Sequence, residues 1–222
     1  MDNPRLTKKD LYDQITTKIL ELDLDPYSKD HKINSLEIAD KVCKNLEIKY
    51  LNFNEIKICG ILYKGENSTS IALNNKRSHE GKNFDCMHEI VHYWLHDNNY
   101  FYCNEKSNAY YEWQANEGAA QFLMPYQTFI PRFVEVFSEF NSIYKNSNKD
   151  IISTKTYEHL SWGFNVGKAA IINRVKSLQS EILQYCETKS LYNLKIQSLY
   201  QQGLNKKYRK VKLWWLYTKT YK

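Results

Sequence analysis

The run His88-Glu89-Ile90-Val91-His92 carries the residue types of a hydrolytic metal centre. It lies inside a stretch from Asn83 to His96 that contains neither Gly nor Pro, so the pattern predicts a helix. On a helix, residues i and i+4 share one face, and two imidazoles one turn apart can grip the same ion. Glu89, next to the first histidine, then reaches past the ion to a water on its open side and serves as general base. The bland alternative is a surface helix bearing two solvated histidines. A third ligand is what separates the two readings, because two histidines rarely hold zinc tightly.

A metzincin would place Gly and His three and six residues after the second histidine. Those places hold Leu95 and Asn98, which excludes that class. A Glu on a following helix remains, with Glu105, Glu112 and Glu117 as candidates. Glu105 falls in a polar segment from Asn98 to Asn108 that reads as a loop. Glu112 opens Glu112-Trp113-Gln114-Ala115-Asn116, in a helix expected to run to about Met124 and stopped by Pro125. Asn116, one turn beyond Glu112 on the same face, is placed to bond the free ring nitrogen of a ligand, whereas Glu117 is rotated about 100° off that face. The spacing favours Glu112.

Other polar residues near the motif have weaker claims. His79 reads as a solvated loop residue, and His96 as supporting structure at the edge of the metal face. Tyr93, Tyr110 and Tyr111 have equal claims to donate to an oxyanion. Cys86 and Cys103 lack helix-compatible spacing with the histidines.

Two separated blocks resemble the ImmA/IrrE family of metallo-endopeptidases. The first is Phe84-Asp85-Cys86-Met87-His88-Glu89-Ile90-Val91-His92-Tyr93-Trp94-Leu95-His96. The second is Glu112-Trp113-Gln114-Ala115-Asn116-Glu117-Gly118-Ala119-Ala120-Gln121-Phe122-Leu123-Met124-Pro125. Gly118 departs from the family's usual Phe and touches local packing rather than the ligands. The resemblance implies an α+β, zincin-like fold with Zn2+ on His88, His92 and Glu112 and with Glu89 catalytic. It also implies a protein substrate, a helix-turn-helix repressor encoded beside such proteins on mobile elements, whose cleavage switches on transcription.

The elements around the motif fit that scheme. Leu6 to Leu22 reads as an amphipathic helix, and Ser35 as the N-cap of a second helix ending near Asn45. Ile48 to Phe53, Ile56 to Lys64 and Ser70 to Asn74 read as strands of a small antiparallel sheet, with a hairpin loop at Gly65 to Thr69. An edge strand of such a sheet can take an extended substrate as an added strand. A further helix is expected from Tyr126 to Tyr144, then a polar linker from Asn146 to Asp150. Ile151 to His159 and Lys168 to Leu178, joined by a turn at Gly163 to Gly167, have helix-turn-helix spacing. Leu160, Phe164, Val166, Ala170, Arg174 and Leu178 look like the helical segment that often follows the peptidase core in that family; Ser161 and Gly167 depart from its usual Ala and Ser. Lys168, Arg174 and Lys176 are the only basic residues on the second helix to favour DNA, so protein recognition is the stronger reading.

Composition sets the outer bounds. A hydrophobic share of 42% in 222 residues argues for a folded chain. The N-terminus has no apolar core of a signal peptide, and no uncharged apolar run approaches the roughly 20 residues of a membrane span. Five cysteines without a C-x-x-C pair are expected to be free thiols in a reducing cytoplasm. Nine of the 31 Lys and Arg fall between Lys189 and Lys222, where there is no acid, and the remainder carries 22 bases against 25 acids. The expected organisation is a metallopeptidase core over 1–148, a helical recognition region over 149–188, and a basic aromatic tail over 189–222. The tail suits a polyanion or docks on the body through its aromatics.

The reading is a cytoplasmic zinc endopeptidase. Its rivals are a regulatory DNA- or protein-binding module with a structural zinc, and a toxin-like protease with another target. An intact Glu89 argues against the first rival, since a structural site needs no base.

Overall fold

The computed structural model describes residues 6–53, 58–96, 100–102, 109–144 and 149–196. Glu105, Cys103, the linker residues Asn146 to Asn148 and the aromatic run Val211 to Tyr217 lie outside the described residues. The fold is mixed α+β. Twelve elements follow in order among the described residues: α1 (Lys8–Glu21), α2 (Ser35–Val42), β1 (Leu46–Leu51), β2 (Gly60–Lys64), β3 (Thr69–Asn74), α3 (His79–Leu95), β4 (Tyr100–Tyr102), α4 (Ala109–Leu123), α5 (Tyr126–Ile143), α6 (Lys149–Phe164), α7 (Lys168–Ser177) and α8 (Gln179–Thr188). They fall into two compact units, one holding residues 32–123 and 165–167 and the other the remainder.

The first of these units contains α2, the sheet, α3 and α4. Its strand order is β1-β3-β2-β4. The β2–β3 hairpin is antiparallel as its turn predicts, and Gly65 N–H donates to the Ser68 carbonyl across it. The sheet is not wholly antiparallel, however. β3 inserts between β1 and β2 and runs parallel to β1, from Leu46 opposite Thr69 to Leu51 opposite Asn74. Strand direction within a hairpin is a local property, but which strand lies beside β1 is decided by packing. β4 pairs antiparallel with β2, so β1 and β4 are the edges among the described strands.

The alternation along the strands places Leu62, Ile71 and Leu73 in the core. Helix α3 packs on β2, β3 and α4, which explains why its residues from Asp85 to His92 are all buried rather than one stripe of them. Small residues on α4, Ala115 and Ala119, are fully buried and let the two helices approach closely. The departing Gly118 is buried there too.

The ends of these helices differ in detail from the spacing. The N-cap of α2 is Asn34, whose side chain accepts from Leu36 N–H, while the Ser35 N–H is taken by the Asn83 side chain at 2.7 Å. α3 starts at His79, capped by Ser78, so His79 is an exposed residue of the first helical turn. Arg77 makes a two-pronged ion pair with the buried Asp85, at 2.8 and 2.9 Å, pinning the start of the helix.

The other unit is helical: α1, α5, α6, α7 and α8. α1 is closed by a capping box between Thr7 and Asp10 and buries Leu11, Ile15 and Ile19. On α5, Phe129, Phe133 and Phe137 recur every four residues and are fully buried, the first two rings stacked and the third tilted against the second. Each contributes about 2 to 3 kcal/mol of apolar burial. Two cations lie in this core. Lys8 pairs with Glu181 at 3.3 Å and donates to the Ser177 carbonyl at 2.6 Å. Arg174 donates to the Met124 carbonyl at 3.1 Å and to the Tyr12 hydroxyl at 2.5 Å.

Arg174 is therefore a core residue, 1% exposed, and not a phosphate contact. Lys168 pairs with Glu158 at 3.1 Å. Of the three basic residues that would have favoured DNA, only Lys176 stands exposed without either arrangement. Helix α8 ends at Thr188, because Lys189 turns left-handed at φ 55° and its N–H closes on the Tyr185 carbonyl. Among the described residues no helix is long and apolar enough to cross a membrane, and the described cysteines are not in disulfide bonds.

Candidate metal centre

α3 turns His88 and His92 inward, 7% and 0% exposed, with their Nε2 atoms 3.0 Å apart. The opening turn of α4 presents Glu112 to both: its Oε2 lies 3.4 Å from His88 Nε2 and its Oε1 3.5 Å from His92 Nε2. These three residues form the group able to hold a metal ion among the described residues. Ligand atoms around a tetrahedral zinc lie about 3.3 Å apart, given metal–ligand bonds of about 2.0 to 2.1 Å. The observed separations bracket that edge length, so the donor set fits such an ion. Its chemistry fits as well, being two imidazoles and a carboxylate with room for a fourth ligand.

The protonation states agree with ligation at two of the three residues; at His88 burial acts to lower the ring, but Glu112, Glu89 and Asp85 outweigh it and raise it. Burial pushes His92 down to about 4, against the pull of Glu112, so its ring is neutral at pH 7. Burial acts to raise Glu112, but the two imidazoles beside it outweigh that and hold the carboxyl at about 2. A neutral imidazole and an ionised carboxylate are the forms that bind metal.

Glu89 is 1% exposed. Its carboxylate rests against the first residue of β2: a Cβ built on Gly60 would meet Glu89 Oε1 at 2.6 Å. Only a glycine leaves the carboxylate that position. Sequence reading passed over Gly60, since nothing in a β-branched run announces which helix will cross it.

Asn116 does not support a ligand as its spacing suggested. It is exposed, and its side chain turns back to the Glu112 carbonyl at 2.8 Å. The imidazole support comes instead from His96 and Gln114. His96 Nδ1 lies 2.8 Å from His92 Nδ1, and His96 Nε2 lies 2.9 Å from Gln114 Oε1. His96 is the C-cap of α3, where the chain turns extended, and that turn swings the ring back under His92 instead of letting it drift round the helix.

Of the three tyrosines, Tyr111 lies against His96 with ring centroids 4.5 Å apart. Tyr110 stacks on Trp113, and Tyr93 sits beneath the Lys64 ammonium. Glu117 does not join the group. Cys86 is buried, and burial drives its thiol well above the usual range, which makes it a core residue.

Residues 43–176 match the peptidase M78 family, described as an IrrE N-terminal-like domain. The chain belongs to that family. M78 proteins are metallopeptidases, and the matched span contains every residue of the centre described above. The chain is also similar to the phage-like element PBSX protein XkdA of Bacillus subtilis strain 168, at 34% identity over 95 residues. That similarity covers 43% of this chain and 44% of the relative, less than half the length of either.

Proposed function

We propose that this M78 protein is a zinc endopeptidase that acts in the cytoplasm on a regulatory protein. The observation that carries the proposal is the convergence of His88, His92 and Glu112 at 3.0 to 3.5 Å beside a buried Glu89. His88, His92 and Glu112 would hold the ion. Zinc in such a set supplies Lewis acidity, polarising a peptide carbonyl and making water acidic near neutral pH.

The protein's own groups then do the proton work. Glu89, held against Gly60, takes a proton from the attacking water and delivers it to the leaving amine. His96 and Gln114 keep the second imidazole in place. An extended peptide can join the sheet as an added strand through backbone hydrogen bonds, and β4 is the described edge nearest β2.

The substrate we propose is a helix-turn-helix repressor of a mobile element. The likeness to a protein of a phage-like element supports that setting. A sheet edge accepts any extended peptide, so selectivity is expected from a second surface, the exposed face of α6 and α7. The test pairs metal analysis with digestion. One zinc per chain is expected, lost in His88→Ala, His92→Ala and Glu112→Ala but not in Glu117→Ala. Zinc-dependent cutting of the repressor encoded beside the gene is expected at one or few sites, with little cutting of casein. Zinc retained in Glu112→Ala, or casein digested as fast as the repressor, would overturn the corresponding half of the proposal.

A further inference from the structure

The chain His92–His96–Gln114 has a direction, and that direction bears on the metal. An imidazole that is neutral carries one proton, so in a line of two imidazoles and an amide each ring must donate at one nitrogen and accept at the other. Two arrangements satisfy both contacts. In one, His92 Nδ1–H donates to His96 Nδ1 and His96 Nε2–H donates to the Gln114 carbonyl oxygen. In the other, every proton moves one place and the Gln114 amide group faces His96. The arrangements differ where it matters: the first leaves the lone pair of His92 Nε2 aimed at the His88–Glu112 group, and the second puts a proton there.

We propose that Gln114 is a positioning residue that selects the metal-binding tautomer of His92 through His96. This rests on the metal reading above. The amide oxygen, not the nitrogen, faces His96 Nε2 at 2.9 Å, in line with the first arrangement. All three side chains are buried, at 0%, 5% and 4% exposure, so bulk water does not offer a competing acceptor that would scramble the order. His96 and Gln114 come from different helices, so the contact also ties the end of α3 to α4 two residues from Glu112. The lone pair is thereby fixed on the correct nitrogen before any ion arrives, as is usual for the outer partners of metal-binding histidines.

The experiment uses the full chain labelled with 15N-histidine, in zinc-loaded and chelator-stripped forms. Long-range 1H–15N spectra report which ring nitrogen is protonated, and competition with a chelator reports zinc affinity. In the unaltered protein His96 is expected to carry its proton on Nε2, with and without zinc. Gln114→Met keeps the length of the side chain but removes the acceptor; His96 is expected to lose its single-tautomer signature and zinc affinity to fall roughly 10- to 100-fold.

A His96 protonated on Nδ1 in the unaltered chain would overturn the relay. So would Gln114→Met binding zinc as tightly as the parent. Failure of the metal reading looks different: the unaltered chain would bind no zinc, while its stripped spectrum would still report the His96 tautomer.

Discussion

Gly60→Ala is the smallest change that should separate chemistry from metal binding. The added methyl would lie 2.6 Å from Glu89 Oε1 and 3.2 Å from both Cδ and Cγ, and those are its three nearest atoms. Ordinary contact begins at 3.4 Å, so the carboxylate must retreat by about 0.8 Å. A buried side chain can make such a move, and the fold should survive it. The base, however, must lie within hydrogen-bond reach of the attacking water, and a displacement near 1 Å costs about 100-fold in rate, or about 2.7 kcal/mol on the barrier. The assay is kcat on the protein the parent cleaves, beside metal content and unfolding midpoint. Full metal, an unchanged midpoint and a fall in kcat of about that size are expected. Gly167→Ala is the control, because a Cβ there meets nothing within 4 Å and activity should not change. Parental kcat in a fully metallated Gly60→Ala would refute the reasoning, and so would loss of metal, which would mean that the strand supports the ligands rather than the base.

Further outcomes follow from other contacts. Glu89→Gln should keep its metal and fold yet lose roughly 10²- to 10⁴-fold in kcat, read in the same assay. Arg174→Met should lower the denaturant midpoint, since it leaves the Tyr12 hydroxyl and the Met124 carbonyl without their buried donor at about 1 to 3 kcal/mol each. DNA affinity measured beside it should not change, and a loss would show that the arginine reaches solvent. Truncation after Thr188 should leave metal content and the unfolding midpoint intact. If the removed segment binds polyanions, the loss of its nine positive charges should abolish a steeply salt-dependent interaction with DNA or anionic vesicles.

Helical periodicity was enough to set His88 and His92 on one face, because residues four apart on a helix meet whatever surrounds them. The same reasoning on α4 chose Glu112 over Glu117 by way of Asn116; the structure draws Glu112 to the histidine pair, although Asn116 supports no ligand. Turn chemistry likewise announced the β2–β3 hairpin and the stop before α5. These are local properties, written within a few residues of one another.

What tertiary structure alone decided joins residues far apart in the chain. β3 lies parallel to β1 because it inserts between β1 and β2, an order that no strand carries in its own pattern. Gly60 and Glu89 meet because β2 crosses under α3, and Gln114 meets His96 because the end of α3 turns extended beside α4. Arg174 looked like a solvent-facing cation at its spacing, yet its partners are Tyr12 and the Met124 carbonyl, 162 and 50 residues away. Periodicity says which face of an element is turned inward; which atoms wait there depends on the packing of every other element against it.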